Sequence, residues 1–162
     1  MTTKIPETKE YLKNIILDEK TITRRAPAIE HERAVAIHDI LGYNRFAPVG
    51  DFAGPYQLVL GINDESRLVW QIQSETGATL VTHIMGLQPF RRLVKDYFAI
   101  CESYFEAIKT ASTAQIETID MARRGIHDDA AKFLSEKLEG KIAVDHATAR
   151  RLFTLVCVLH VR

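Results

Sequence analysis

Four adjacent arginine pairs occur along the chain: Arg24–Arg25, Arg91–Arg92, Arg123–Arg124 and Arg150–Arg151. A guanidinium fork matches carboxylate and phosphate geometry, so each pair is a candidate anion contact until its setting explains it. Arg123 and Arg124 follow Asp120 by three and four residues and close a helical run before Gly125. At that spacing a helix pairs opposite charges, and cations suit its end. Arg24 and Arg25 fall in an expected loop, and Arg150 and Arg151 in the second turn of the last expected helix. Arg91 and Arg92 differ. They open the helical run after Pro89, with Lys95 one turn on. A helix start is already positive, so each cation there costs about 0.3–1 kcal/mol at an exposed site. A docked anion reverses that sign, because free N–H groups, dipole and arginine forks then all favour it. His83, near the end of the preceding strand, lies close enough in sequence to join. The candidate site is thus Arg91, Arg92, Lys95 and His83, and its ligand a phosphate- or carboxylate-bearing metabolite. The competing reading pairs these cations with Glu30, Glu32 or Asp51.

Other recognisable chemistry is sparse. The chain has no GxGxxG, no GxxxxGK[ST] and no GxSxG motif. His31 and His38 are seven residues apart, roughly 10.5 Å along a helix, too far to share one ion. Glu102 and Glu106 share a helix face but lack the accompanying histidine of a carboxylate metal site. His127, Asp128 and Asp129 are consecutive and diverge on a helix, where Asp128 is expected as an N-cap. No metal and no cofactor are expected. An enzyme without a linear motif would draw its acid–base groups from His83 or His127. Cys101 and Cys157 lie within apolar helical patterns, without a CxxC spacing, and read as buried thiols.

The elements that must position these residues follow from periodicity. Met1 to about Tyr11 reads as a flexible leader, and Leu12–Glu19 as a short strand. Pro27 starts a helix that Gly42 ends. The segment RFAPVGDFAGPY is turn-rich and reads as a loop. YQLVLGI, RLVWQIQ and TLVTHIM alternate, with short turns between them, and predict an antiparallel three-strand meander. From Pro89 the pattern is helical, with Phe90, Leu93, Val94, Tyr97, Phe98, Cys101, Tyr104, Phe105 and Ile108 as an apolar stripe. After a break near residue 112, one helix ends at Gly125 and another runs from Asp128 to Gly140. KIAV is an extended link. Asp145 caps a last helix whose apolar residues surround the axis from Leu152 to Val161. That helix is expected to be central or covered by a second subunit, and a strand over 152–161 is the alternative. The fold class is α+β: a small antiparallel sheet, made of the meander and the N-terminal strand, packed by four to five helices.

The 162 residues form one expected domain, with equal numbers of acidic and basic side chains. A generic nucleic-acid or membrane-surface binder is not indicated. The polar start lacks a signal-peptide core and no apolar run spans a bilayer, so a cytoplasmic location is expected. The stretches EHERAVAIHDI, ESRLVW, PFRRLVKDYFAICESYFEAI, IDMARRG and ARRLFTLVCVLH closely resemble the alphaproteobacterial uncharacterised protein family 0262, in order from about Leu12 to the C-terminus. The resemblance implies a bacterial cytoplasmic protein and brings no activity or site residues with it. Three functional readings are open. The first is a non-enzymatic protein acting through a homodimer or a protein partner. The second is an anionic-metabolite-binding regulatory domain, and the third an enzyme with a spatially assembled site.

Overall fold

A computed structural model describes residues 9–18 and 27–160. Its elements in chain order are β1 (Leu12–Asp18), α1 (Pro27–Gly42), β2 (Phe46–Pro48), β3 (Tyr56–Ile62), β4 (Arg67–Ser74), β5 (Thr79–Gly86), α2 (Arg91–Thr110), α3 (Thr113–Leu138), β6 (Ile142–Val144) and α4 (His146–His160). A single 3₁₀ turn, Gln88–Phe90, leads into α2. Alternation in β3, β4 and β5 forms the expected meander, and β1 adds to the β3 side, giving the order β1-β3-β4-β5. Here the expectation of a purely antiparallel sheet is corrected: β1 runs parallel to β3, so the sheet is mixed. The intervening α1 provides the crossover that a parallel pair requires. A second, two-stranded ladder joins β2 to β6. β2 lies inside the segment expected to be loop, and β6 is the expected extended link. Of the leader, residues 1–8 lie outside the described residues. Beyond them, the Glu10 and Tyr11 carbonyls accept bonds from Phe46 and Tyr56 N–H at 3.0 Å each.

One face of the four-strand sheet is packed. Leu58, Leu60, Leu68, Trp70 and Ile72 are fully buried there, in one cluster with Phe153, Leu155, Val156, Cys157 and Val158 of α4. The last helix is therefore helical and central within the single chain, and its apolar girth needs no second subunit. Asp145 caps it, its Oδ1 accepting from Thr148 N–H at 2.9 Å. The other sheet face carries Asn14, Ile16, Gln57, Val59, Val69, Gln71, Gln73, Thr82 and Ile84, with charged residues only at strand ends, Asp18 and Arg67.

α3 corrects a second expectation. It begins at a capping box in which Ser112 Oγ accepts from Gln115 N–H and Gln115 Oε1 from Ser112 N–H. It then runs unbroken through Gly125 for 26 residues. Asp128 is thus mid-helix rather than an N-cap, and Arg123–Arg124 lie in the middle of α3 rather than at a helix end. The expected exit at Gly140 is correct, and its φ of +79° explains the glycine. In α2 the apolar stripe holds up to Cys101, but Ile108 is 48% exposed and Ala107 takes the buried position.

Gly125 yields a direct prediction. A Cβ built there meets nothing within 4 Å, and glycine in a helix interior costs about 0.5–1 kcal/mol relative to alanine. Gly125→Ala is expected to raise stability by that amount, read as a higher denaturation midpoint with an unchanged m-value.

Candidate functional site

A group of polar side chains lies where α1, α2, α3 and α4 converge, around a cavity of about 200 Å³. Tyr97 is placed there by the α2 stripe and is only 1% exposed. A phenol that deeply buried needs a partner, and its O–H donates to Glu32 Oε1 of α1 at 2.6 Å. Burial, with Cys101 and Glu32 nearby, raises the Tyr97 hydroxyl far above the usual range, so it stays neutral. Its ring lies 4.8 Å from that of His127 on α3, and Phe153 of α4 meets it edge-on at 5.8 Å.

The protonation of His127 follows from its partners. Arg150 Nη2 lies 3.2 Å from Nδ1, and a guanidinium only donates, so Nδ1 is the acceptor. The ring proton therefore sits on Nε2, which donates to the Arg150 carbonyl at 2.8 Å, with Thr154 Oγ1 at 3.1 Å. Thr154 Oγ1 itself donates to the same carbonyl at 3.3 Å. Burial, reinforced by the charges of Arg150 and Arg123, lowers the His127 pKa to about 4. A neutral ring with both nitrogens occupied is not a proton acceptor at neutral pH, so this geometry commits His127 to holding α3 against α4.

The surrounding cations are also occupied. Arg123 donates from Nη2 to Asp120 Oδ1 at 2.7 Å and stacks over Tyr104. Arg124 reaches Asp120 Oδ2 at 2.9 Å, so Asp120, expected to pair with either arginine, holds both. Arg150 Nε lies 3.1 Å from Asp128 Oδ1, an ionic contact whose N–H is not aimed at the oxygen. His146, followed by Arg150, holds Asp128 below the usual carboxylate range. Arg151 lies 3.8 Å from Asp39. With Glu32 and Asp39 in the wall, the cleft is a self-neutralised clasp joining four helices.

The residues singled out in the sequence are placed separately. Arg91 lines an open cleft with Glu65, Arg67, Gly86, Gln88 and His160. Arg92 and Lys95 are exposed, and Arg92 contacts Asp96, one turn on, at 3.9 Å. Among the described residues none of these cations forms an ion pair with Glu30, Glu32 or Asp51, and Glu32 accepts from Tyr97. Among the described residues Arg91 and Lys95 have no ion pair. The first turn of α2 holds no acidic residue, and its N-cap, Phe90, makes no side-chain cap. His83 lies opposite Trp70 across the β4–β5 ladder and turns toward the core, its Nε2 buried without a partner. Burial, with Lys141 nearby, lowers its pKa. It does not line the Arg91 cleft. Arg24 and Arg25 lie outside the described residues. Cys101 and Cys157 are buried free thiols. Burial pushes the Cys101 thiol up to about 11 and raises Cys157 well above the usual value, so neither is a thiolate at neutral pH. Among the described residues no cluster of His, Cys, Asp and Glu has metal-binding geometry, and no helix is long and apolar enough to cross a membrane.

The tyrosine–glutamate and histidine–arginine pairs were not found in the sequence. Their partners are 65 and 23 residues apart, and the one usable signal was a tyrosine inside an apolar stripe, whose hydroxyl requires a bond.

Residues 9–162 match the Uncharacterised protein family (UPF0262). A UPF0262 protein of Rhodopseudomonas palustris (strain BisA53) is 52% identical over 161 residues, 99% of this chain and 98% of the relative. One from Rhizobium etli is 56% identical over 149 residues, 92% of this chain and 94% of the relative. One from Bradyrhizobium sp. (strain ORS 278) is 56% identical over 147 residues, 90% and 87% of the two chains. No solved structure matches. With nearly its whole length matched at such identity, the chain belongs to the alphaproteobacterial UPF0262 family.

Proposed function

We propose that this protein is a non-enzymatic cytoplasmic protein that acts through contacts with a second copy of itself or a protein partner. One observation carries the reading: the polar cluster that would serve chemistry is closed on itself, whereas the sheet ends in an uncharged strand that, among the described residues, is paired on one side only. β5, TLVTHIMG, is the terminal strand, with no Lys, Arg, Asp, Glu or Pro along it. Soluble proteins blunt such edges with charge, proline or a covering element, because unpaired backbone groups template pairing with another chain. An edge left open is explained if something pairs with it.

The test is sedimentation equilibrium from micromolar to submillimolar concentration, combined with cross-linking in cells of the source bacterium. The expected result is self-association, or one stoichiometric cross-linked partner. A monomer at every concentration that cross-links to nothing in cells would overturn the reading.

A further inference from the structure

The geometry points to a specific use of that edge, resting on the contact reading above: we propose that β5 pairs antiparallel with β5 of a second copy about a two-fold axis, joining two four-strand sheets into one. The two edges of the sheet differ. At the β1 edge, the Asn44 side chain takes both the N–H and the C=O of Leu12, at 2.7 and 3.0 Å, and Lys13 adds a charge. Among the described residues the β5 edge has no such guard. The β4–β5 register shifts between Ile72 and Gln73, where Leu80 is the extra residue, and is regular from Val81 to Gly86. The bulge thus shields only the beginning of the strand, and the regular part offers a ladder with its outer N–H and C=O groups unpaired among the described residues.

A second copy fits this edge better than an arbitrary strand, because the two ends of β5 carry opposite charge. The turn before it holds Glu75, and the α2 start after it holds Arg91, Arg92 and Lys95. Antiparallel pairing sets the beginning of one strand beside the end of the other, so each Glu75 comes to the cationic turn of its partner, twice per dimer. Parallel pairing would set like charges together. Glu75 holds Lys13 at 3.1 Å and Arg92 is 3.9 Å from Asp96, but both pairs are solvent-exposed and leave room for a second counter-ion. With the axis at His83, Thr82 faces Ile84 of the partner and Val81 faces Met85, each pair on one face of the sheet. No like charges meet along the ladder.

Thr82→Lys and Ile84→Lys test this on the full chain, since both side chains are exposed and the fold should tolerate them. The expected result is a wild-type dimer in sedimentation, with the Val81–Gly86 amides protected from hydrogen exchange. Each variant should be monomeric at the same concentration, with unchanged circular dichroism and lost protection. Arg91→Glu should weaken the dimer several-fold, and Glu75→Lys in the same chain should restore it. A wild-type monomer throughout overturns the proposal. A dimer that survives both lysines also overturns it, and places the interface elsewhere while leaving the contact reading intact.

Discussion

Phe153→Ala is expected to lower unfolding free energy by about 3–5 kcal/mol, the range for deleting a buried aromatic ring. The ring is 0% exposed in the middle of α4. It meets Tyr97 of α2 edge-on at 5.8 Å and lies 6.3 Å from His127 of α3. Truncation opens a cavity against three helices, and the neighbours cannot close it easily, because Tyr97 is tied to Glu32 and His127 to Arg150. The measurement is urea unfolding at several protein concentrations. Because α4 is buried within one chain, the loss should be the same at each concentration. If α4 instead formed the interface between copies, the loss would grow on dilution as association failed. A cost below about 1 kcal/mol would show that the ring is not packed as described.

The fold was legible where local pattern decides it. The period of two in β3, β4 and β5, the proline at the start of α1 and the stepped apolar residues of α2 each specify one structure. The direction of β1 was not legible, because alternation is identical in parallel and antiparallel pairing. The β2–β6 ladder was not legible either: three-residue strands, one containing Pro48, have no period to detect. Gly125 misled because glycine commonly follows a helix end. In α3 the packing of Ala130, Ala131, Leu134 and Leu138 outweighs the cost of one glycine and carries the helix across it.

The candidate site was less legible than the fold, for a physical reason. The three cations and one histidine chosen from sequence were near neighbours in the chain, but strand and helix geometry separates them: His83 turns to the core while Arg92 and Lys95 face solvent. The residues that do converge, Glu32, Tyr97, His127, Arg150 and Thr154, come from all four helices, and only tertiary packing brings them together. The local oddity that sequence exposed, cations in a first helical turn that holds no acid of its own, persists in the structure, with Asp96 one turn on meeting only Arg92 at 3.9 Å.

The second large effect concerns pH and follows from the clasp. His127 has a folded pKa of about 4, against about 6.5 in an unfolded chain. Between those values the unfolded state binds a proton that the folded state refuses, so stability falls as pH falls through this window. The difference, about 2.5 units at 1.36 kcal/mol each, amounts to about 3 kcal/mol lost by pH 4, after which this group contributes no further change. Burial dominates; the charges of Arg150 and Arg123 also oppose protonation, while the bond to the Arg150 carbonyl and, least of all, the charge of Asp128 favour it. His83 is shifted in the same direction and adds to the same slope. Asp120, Asp128 and Asp145 have lowered pKa values, so their contributions are complete only above about pH 5 and are lost progressively below it. The histidine window is therefore separable from the carboxylate one. His127→Gln keeps a donor for the Arg150 carbonyl and has no proton to gain, so between about pH 6.5 and about pH 5 it should lose most of the slope, leaving the share due to His83. Equilibrium denaturation across that range, with the His127 ring followed by NMR, makes the measurement. A ring that titrates near 6.5, or a glutamine variant with the wild-type slope, would mean that the clasp opens to water and that His127 is available for proton chemistry after all.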